Sequence, residues 1–239
     1  MRIDIEKYSR VFLMDVGMVY SPIRFLREQR EHGSSNKKQA LIFCPNMYVP
    51  GKMNVKLMED NYIMNGFAVI PQENLNIVYL ASILNTAVSW AVMTNGKLEK
   101  RGPITMKRLE TVFVRMLPEL EQQVVAYLYY LLMDIRKQET NGDNRQYLDY
   151  WKSVYEQLLN AIALELVLPE VFKVYEIEML ESWCSLIGKC LKEYPNYKWI
   201  QWQEYLGKEL LTPQNVVIGN LNKLRVVMND VVEQVKVKI

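Results

Sequence analysis

The chain has 239 residues, 50% of them hydrophobic and 23% charged, which suits one large domain or two small ones with a buried core and excludes global disorder. Lys and Arg number 29 against 27 Asp and Glu, a net charge of +2, so any contact with nucleic acid has to come from a local patch rather than from bulk charge. Cys44, Cys184 and Cys190 are odd in number and lack CxxC spacing, which argues against a disulfide framework and a Cys-rich zinc site and points to the reducing cytoplasm.

In chain order, the opening "MRIDIEKYSR" has charges where a signal peptide needs its apolar segment. "RVFLMDV" (10–16) reads as a strand. "SPIRFLREQREHG" (21–33) reads as a short helix with Ser21 as N-cap, Pro22 at the first helical position and Gly33 at the end. A polar loop (33–39) leads to a strand candidate at 40–44, and "PNMYVPGKMN" (45–54) is a turn or loop rich in Pro and Gly. "NYIMNGFAVIP" (61–71) reads as a strand pair or one bulged strand, with Asn65-Gly66 as a tight turn.

From residue 74 the texture is helical. "NLNIVYLASILNTAVSWAVM" (74–93) places Val78, Leu80, Ile83, Leu84, Ala87, Val88 and Ala91 at helical spacing. "TVFVRML" (111–117) is a strand candidate ending at Pro118. A helix over 118–138 opens with Pro and two glutamates and closes with Arg136 and Lys137. Its run "VVAYLYYLLM" (124–133) is half the roughly 20 residues that a bilayer span needs. After a linker (139–146), further helices cover 147–168 and 169–194, followed by a short aromatic segment (195–211). The valine-rich tail from 212 onward is read as helix or strand. The fold class is therefore α+β, a mixed first domain over 1–118 followed by a helical region over 119–239.

Catalytic signatures are missing. His32 is the single histidine, and GxxxxGK[ST], GxGxxG and GxSxG do not occur. Glu165, Glu170, Glu176 and Glu178 have no partner that marks a dyad, and Glu165, on an apolar helix, is expected to reach solvent or pair with a lysine. The chain is read as no enzyme, with no cofactor and no metal.

The segment "NGKLEKRGPITMKR" (95–108) stands out instead. Lys97, Lys100, Arg101, Lys107 and Arg108 face a single acid, Glu99, and Gly96 and Gly102 allow close backbone approach. Thr105 is placed to cap a short helix whose N–H groups point at a phosphate. Such contacts position a protein on DNA without reading its sequence. A second basic group, Lys37, Lys38, Lys52 and Lys56, accompanies Asn36, Gln39 and Asn54, whose amides suit adenine edges. Asn and Gln are also ordinary turn residues, and loops are ordinarily Lys-rich. The aromatic group Tyr194, Tyr197, Trp199, Trp202 and Tyr205 has helical spacing and is read as helix packing rather than base stacking.

The order of pieces "VYLASILNT" (78–86), "NGKLEKRG" (95–102), "ITMKRLETVFVRMLP" (104–118) and "ELEQQVVAYLYYLL" (119–132) resembles the target recognition domains of type I restriction-modification specificity subunits. It equally resembles the TaqI-like specificity domain of adenine-N6 DNA methyltransferases. "LLNAIALELVLPEVF" (158–172) is similar to the segment that follows such domains in fused methyltransferase-specificity enzymes. The "NPPY" or "DPPY" motif and the glycine-rich AdoMet loop of those methyltransferases are absent; "CPNMYVP" (44–50) does not supply the motif. The resemblance implies a non-catalytic module that binds double-stranded DNA, beside a DNA methyltransferase subunit or domain that binds AdoMet, with the helices as spacer, docking surface or homo-oligomer contact. The alternative is a protein–protein adaptor acting through its helical half without DNA contact.

Overall fold

The structure is a computed structural model that describes residues 3–20, 41–43, 53–57, 67–71, 74–94, 105–140 and 145–238. The chain is α+β, and its contacts divide it into two units, Tyr8–Gln122 and Met1–Lys7 with Gln123–Lys238.

In the first unit, β1 (Arg10–Phe12) pairs antiparallel with β6 (Phe113–Arg115), Val11 opposite Val114. A second sheet has the order β2 (Gly17–Tyr20), β5 (Phe67–Pro71), β3 (Leu41–Phe43), β4 (Val55–Leu57), with every neighbour antiparallel. The strand expected over 10–16 is cut short. After Phe12 the chain turns through α1 (Leu13–Val16), because Leu13 is fully buried and its N–H is taken by Val112 O at 2.8 Å; pairing resumes in β2. The helix expected over 21–33 and the loop 33–39 lie outside the described residues.

The helix expected over 74–93 is two helices, α2 (Ile77–Leu84) and α3 (Ala87–Met93). Asn76 caps α2, its side chain accepting from Val78 N and Tyr79 N at 2.8 and 3.1 Å. All eight residues of α2 are buried, as befits a helix that is apolar all round. The break falls where two polar residues offer the backbone another partner. Asn85 turns its amide to β4, and Thr86 caps α3 through Ser89 N at 3.2 Å. A one-turn helix, α4 (Met106–Leu109), precedes β6.

The second unit is built from α5 (Glu119–Thr140), whose first turn belongs to the first unit, and from α6 (Arg145–Val167), α7 (Pro169–Val174), α8 (Met179–Glu193), α9 (Trp199–Leu210) and α10 (Val216–Lys238). The helix expected over 169–194 breaks between α7 and α8. Glu176 adopts the left-handed conformation (φ 52°), Ile177 N–H bonds Phe172 O at 2.9 Å, and Glu176 N–H bonds Lys173 O at 3.3 Å. This is a Schellman closure with a glutamate where glycine is usual, and Ile177 and Phe172 supply its apolar contact, both buried. The tail is helical despite its valines: Val217, Leu221 and Leu224 recur on one face and are buried.

Trp151, Trp183 and Trp202 form the heart of this unit. Trp183 Nε1 donates to Val124 O at 3.1 Å, and Tyr155 Oη donates to Gln203 Oε1 at 2.9 Å. Gly207 lies so close to Trp151 that an added Cβ would come within 3.3 Å of the indole. Tyr197 stacks near Tyr127 and meets Trp202 edge-on at 5.1 Å, so the aromatic segment 195–211 packs into the helices.

Candidate functional site

Thr105, Lys107 and Arg108 are the described part of the basic segment; Lys97, Lys100 and Arg101 lie outside the described residues, as do Lys37, Lys38 and Lys52 of the second basic group. Thr105 does cap the short helix. Its Oγ1 accepts from Arg108 N at 3.3 Å, and its carbonyl accepts from Arg108 N and Leu109 N, both at 3.0 Å. Leu109 is fully buried and pins the turn, while Lys107 is exposed and Arg108 half-buried. Thr111 Oγ1 closes the far end on Arg108 O at 2.8 Å. The chain then enters β6, where the Arg10 guanidinium lies 5.2 Å from the ring centre of Phe113. The basic turn is thus fixed on its C-terminal side, first by the buried Leu109 and then by the β1–β6 strand pair. Asn54, named for base contact, has a left-handed backbone (φ 52°) and lies next to β4, and Lys56 is exposed on that strand.

The residues that carried the family resemblance hold this unit together. Asn85, of "ILN", accepts from Val55 N at 2.7 Å and donates to Val55 O at 2.9 Å, pairing with β4 as a strand would. Gln122, of "ELEQQ", is buried; it accepts from Asn76 N at 2.7 Å and donates to Leu117 O at 2.6 Å and Asn74 O at 3.1 Å. Tyr79 donates to Arg115 O at 2.8 Å, and its burial pushes the phenol well above its ordinary range. The Arg115 side chain, also buried, donates to Tyr8 O at 2.7 Å. Sequence alone could not assign these tasks, since all the partners but Leu117 O are backbone atoms 30 or more residues away.

Glu165 corrects an expectation. It neither reaches solvent nor pairs with a lysine: it is 5% exposed and accepts from Leu180 N at 2.7 Å. Glu178, at the N-cap of α8, makes no side-chain cap bond, so the carboxyl of α6 serves the free N–H groups of α8 instead. Burial pushes Glu165 up to about 8; the Leu180 N–H opposes that rise, and the neighbouring Glu178 and Glu181 add to it. Beside it opens a cavity of about 370 Å³ within the helical unit, walled by Ile5, Glu6, Glu165, Phe172, Lys173 and Ile177 among others.

Among the described residues, no group of three or more His, Cys, Asp or Glu is placed to hold a metal ion. Neither Cys184 nor Cys190 is in a disulfide, and burial pushes Cys190 up to about 12. No helix among the described residues is long and apolar enough to cross a membrane. No protein-family model, curated protein or solved structure matches the chain.

Proposed function

We propose that the chain is a non-catalytic DNA target recognition module of a cytoplasmic restriction-modification system. It docks on duplex phosphates through the basic segment 95–108 and works beside a methyltransferase subunit that binds AdoMet. The observation that carries this reading is the capped turn Thr105–Leu109. It holds an exposed lysine directly after the Lys- and Arg-rich stretch of sequence and is itself anchored on a buried core residue. A cation grip is useful only when its base is fixed, since ordering a loop on binding costs conformational entropy. The order of recognition-domain-like segments supports the same reading.

The test is binding to a pool of random duplex DNA at two salt concentrations. Binding should weaken steeply with salt, with a log–log slope of roughly 0.9 per neutralised phosphate. Absence of binding at low salt removes the chain as a stand-alone DNA reader. The adaptor reading has an observation of its own: Tyr130, Tyr147 and Tyr150 are 40–50% exposed on α5 and α6, and tyrosine is enriched at protein interfaces. Reversing Lys100, Arg101, Lys107 and Arg108 to Glu separates the two, because it abolishes DNA binding and leaves an adaptor's partner affinity unchanged.

A further inference from the structure

The helical unit includes a segment far removed in sequence from its helices, Ile3–Lys7, whose attachment differs from that of its surroundings. The helices are held by buried tryptophans and leucines. The segment is held through the buried Ile5 and through a polar clasp near each end. At one end, Ile3 N–H donates to the Glu181 carboxylate at 2.7 Å. At the other, Glu6 lies 3.5 Å from Lys173 Nζ, with both side chains well exposed. Its 3-10 turn, Ile5–Lys7, closes on itself through Lys7 N–H to Asp4 O at 3.2 Å and a Lys7–Asp4 ion pair at 3.3 Å.

The space beneath is incompletely filled. Ile3–Lys7 forms one wall of the 370 Å³ cavity, and Glu165, Phe172 and Ile177 form another. A segment resting on a void has fewer atoms to lose contact with when it leaves. Exposed ion pairs are weak and are screened by salt. The gains holding the segment are therefore of the same order as the chain entropy regained on release, which is the energetic signature of a sub-global opening.

We propose that Ile3–Lys7 is a releasable strap. It undocks while the helices stay folded and removes one wall of the Glu165 cavity. The proposal does not depend on DNA binding, because both clasps and the cavity lie within the helical unit.

The test is thiol labelling of the full chain carrying Ile5→Cys, with the native Cys190, fully buried on α8, as the internal reference for opening of the helices. Peptide mass separates the two sites. The introduced thiol should label at least about tenfold faster than Cys190. Lys173→Glu should accelerate it about threefold, as expected for a reversed exposed pair, and Glu181→Ala about tenfold, as for a lost charge-assisted hydrogen bond. Neither variant should change the Cys190 rate. Hydrogen exchange at the Lys7 amide of the wild-type chain, compared with α6 amides 158–166, guards against an effect of the new thiol itself; Lys7 should exchange faster. Labelling or exchange of the strap at the rate of the helices, or a strap rate unmoved by either variant, overturns the proposal.

Discussion

Glu165 shows how a single carboxyl ties ionisation to stability. Its native pKa, about 8, lies above the ordinary 4.5, so the folded chain binds the proton more tightly than the unfolded chain does. Between those two values the native state holds more protons, and stability falls as pH rises, by at most about 1.4 kcal/mol per pH unit. Below that window the contribution is fully present. Glu165→Gln keeps an acceptor for Leu180 N–H and removes the titration. Urea midpoints should therefore show the wild type losing ground to the variant from about pH 5 to pH 8. Equal pH profiles would mean that Glu165 is ionised throughout. Asn85 poses the complementary case. Asn85→Ala leaves both Val55 backbone groups without their partner and should cost about 1–3 kcal/mol of stability. Asn85→Asp should be intermediate or worse, since it keeps the acceptor but loses the donor and brings a charge to a half-buried site.

Elements were legible where one residue type dominates their physics. The apolar stripe of 147–168 and the acidic start of α5 both sit on helices, because apolar spacing and end charges act locally, whereas the valines of α10 leave both helix and strand open. The breaks were less legible. The pause at Asn85–Thr86 depends on a β4 backbone thirty residues upstream, and the α7–α8 break depends on a glutamate in a glycine conformation. β2 and β4 were missed because each is only three or four residues long, and their pairing to β5 and β3 is non-local. The α7–α8 break gives a prediction of its own. Glu176→Gly relieves a left-handed backbone that costs an L-residue about 1–2 kcal/mol, partly offset by the greater chain freedom of glycine. The variant should be more stable by roughly 0.5–1 kcal/mol, read from its thermal midpoint. Gly207→Ala should do the reverse, since Trp151 is buried and has little room to yield.

At the scale of the whole molecule, the DNA reading rests on a patch and not on bulk charge. Thr105→Ala should lower DNA affinity less than the four-fold charge reversal does, because it loosens the turn without removing a cation; filter binding of the two variants at low salt checks the order. Of the site residues named from sequence, the Thr105 cap is the one whose local task the structure displays. It was legible because N-caps are written in adjacent residues, whereas the remaining lysines act through placement that no local rule encodes.

The helical unit is discontinuous along the chain, and this has a consequence for biosynthesis. Ile3 leaves the ribosome 178 residues ahead of its partner Glu181. Every residue of Tyr8–Gln122 has been translated before the strap's landing site exists. The strap thus docks only after the whole of Tyr8–Gln122 has been made, and a nascent chain halted before α8 carries it with no surface to receive it.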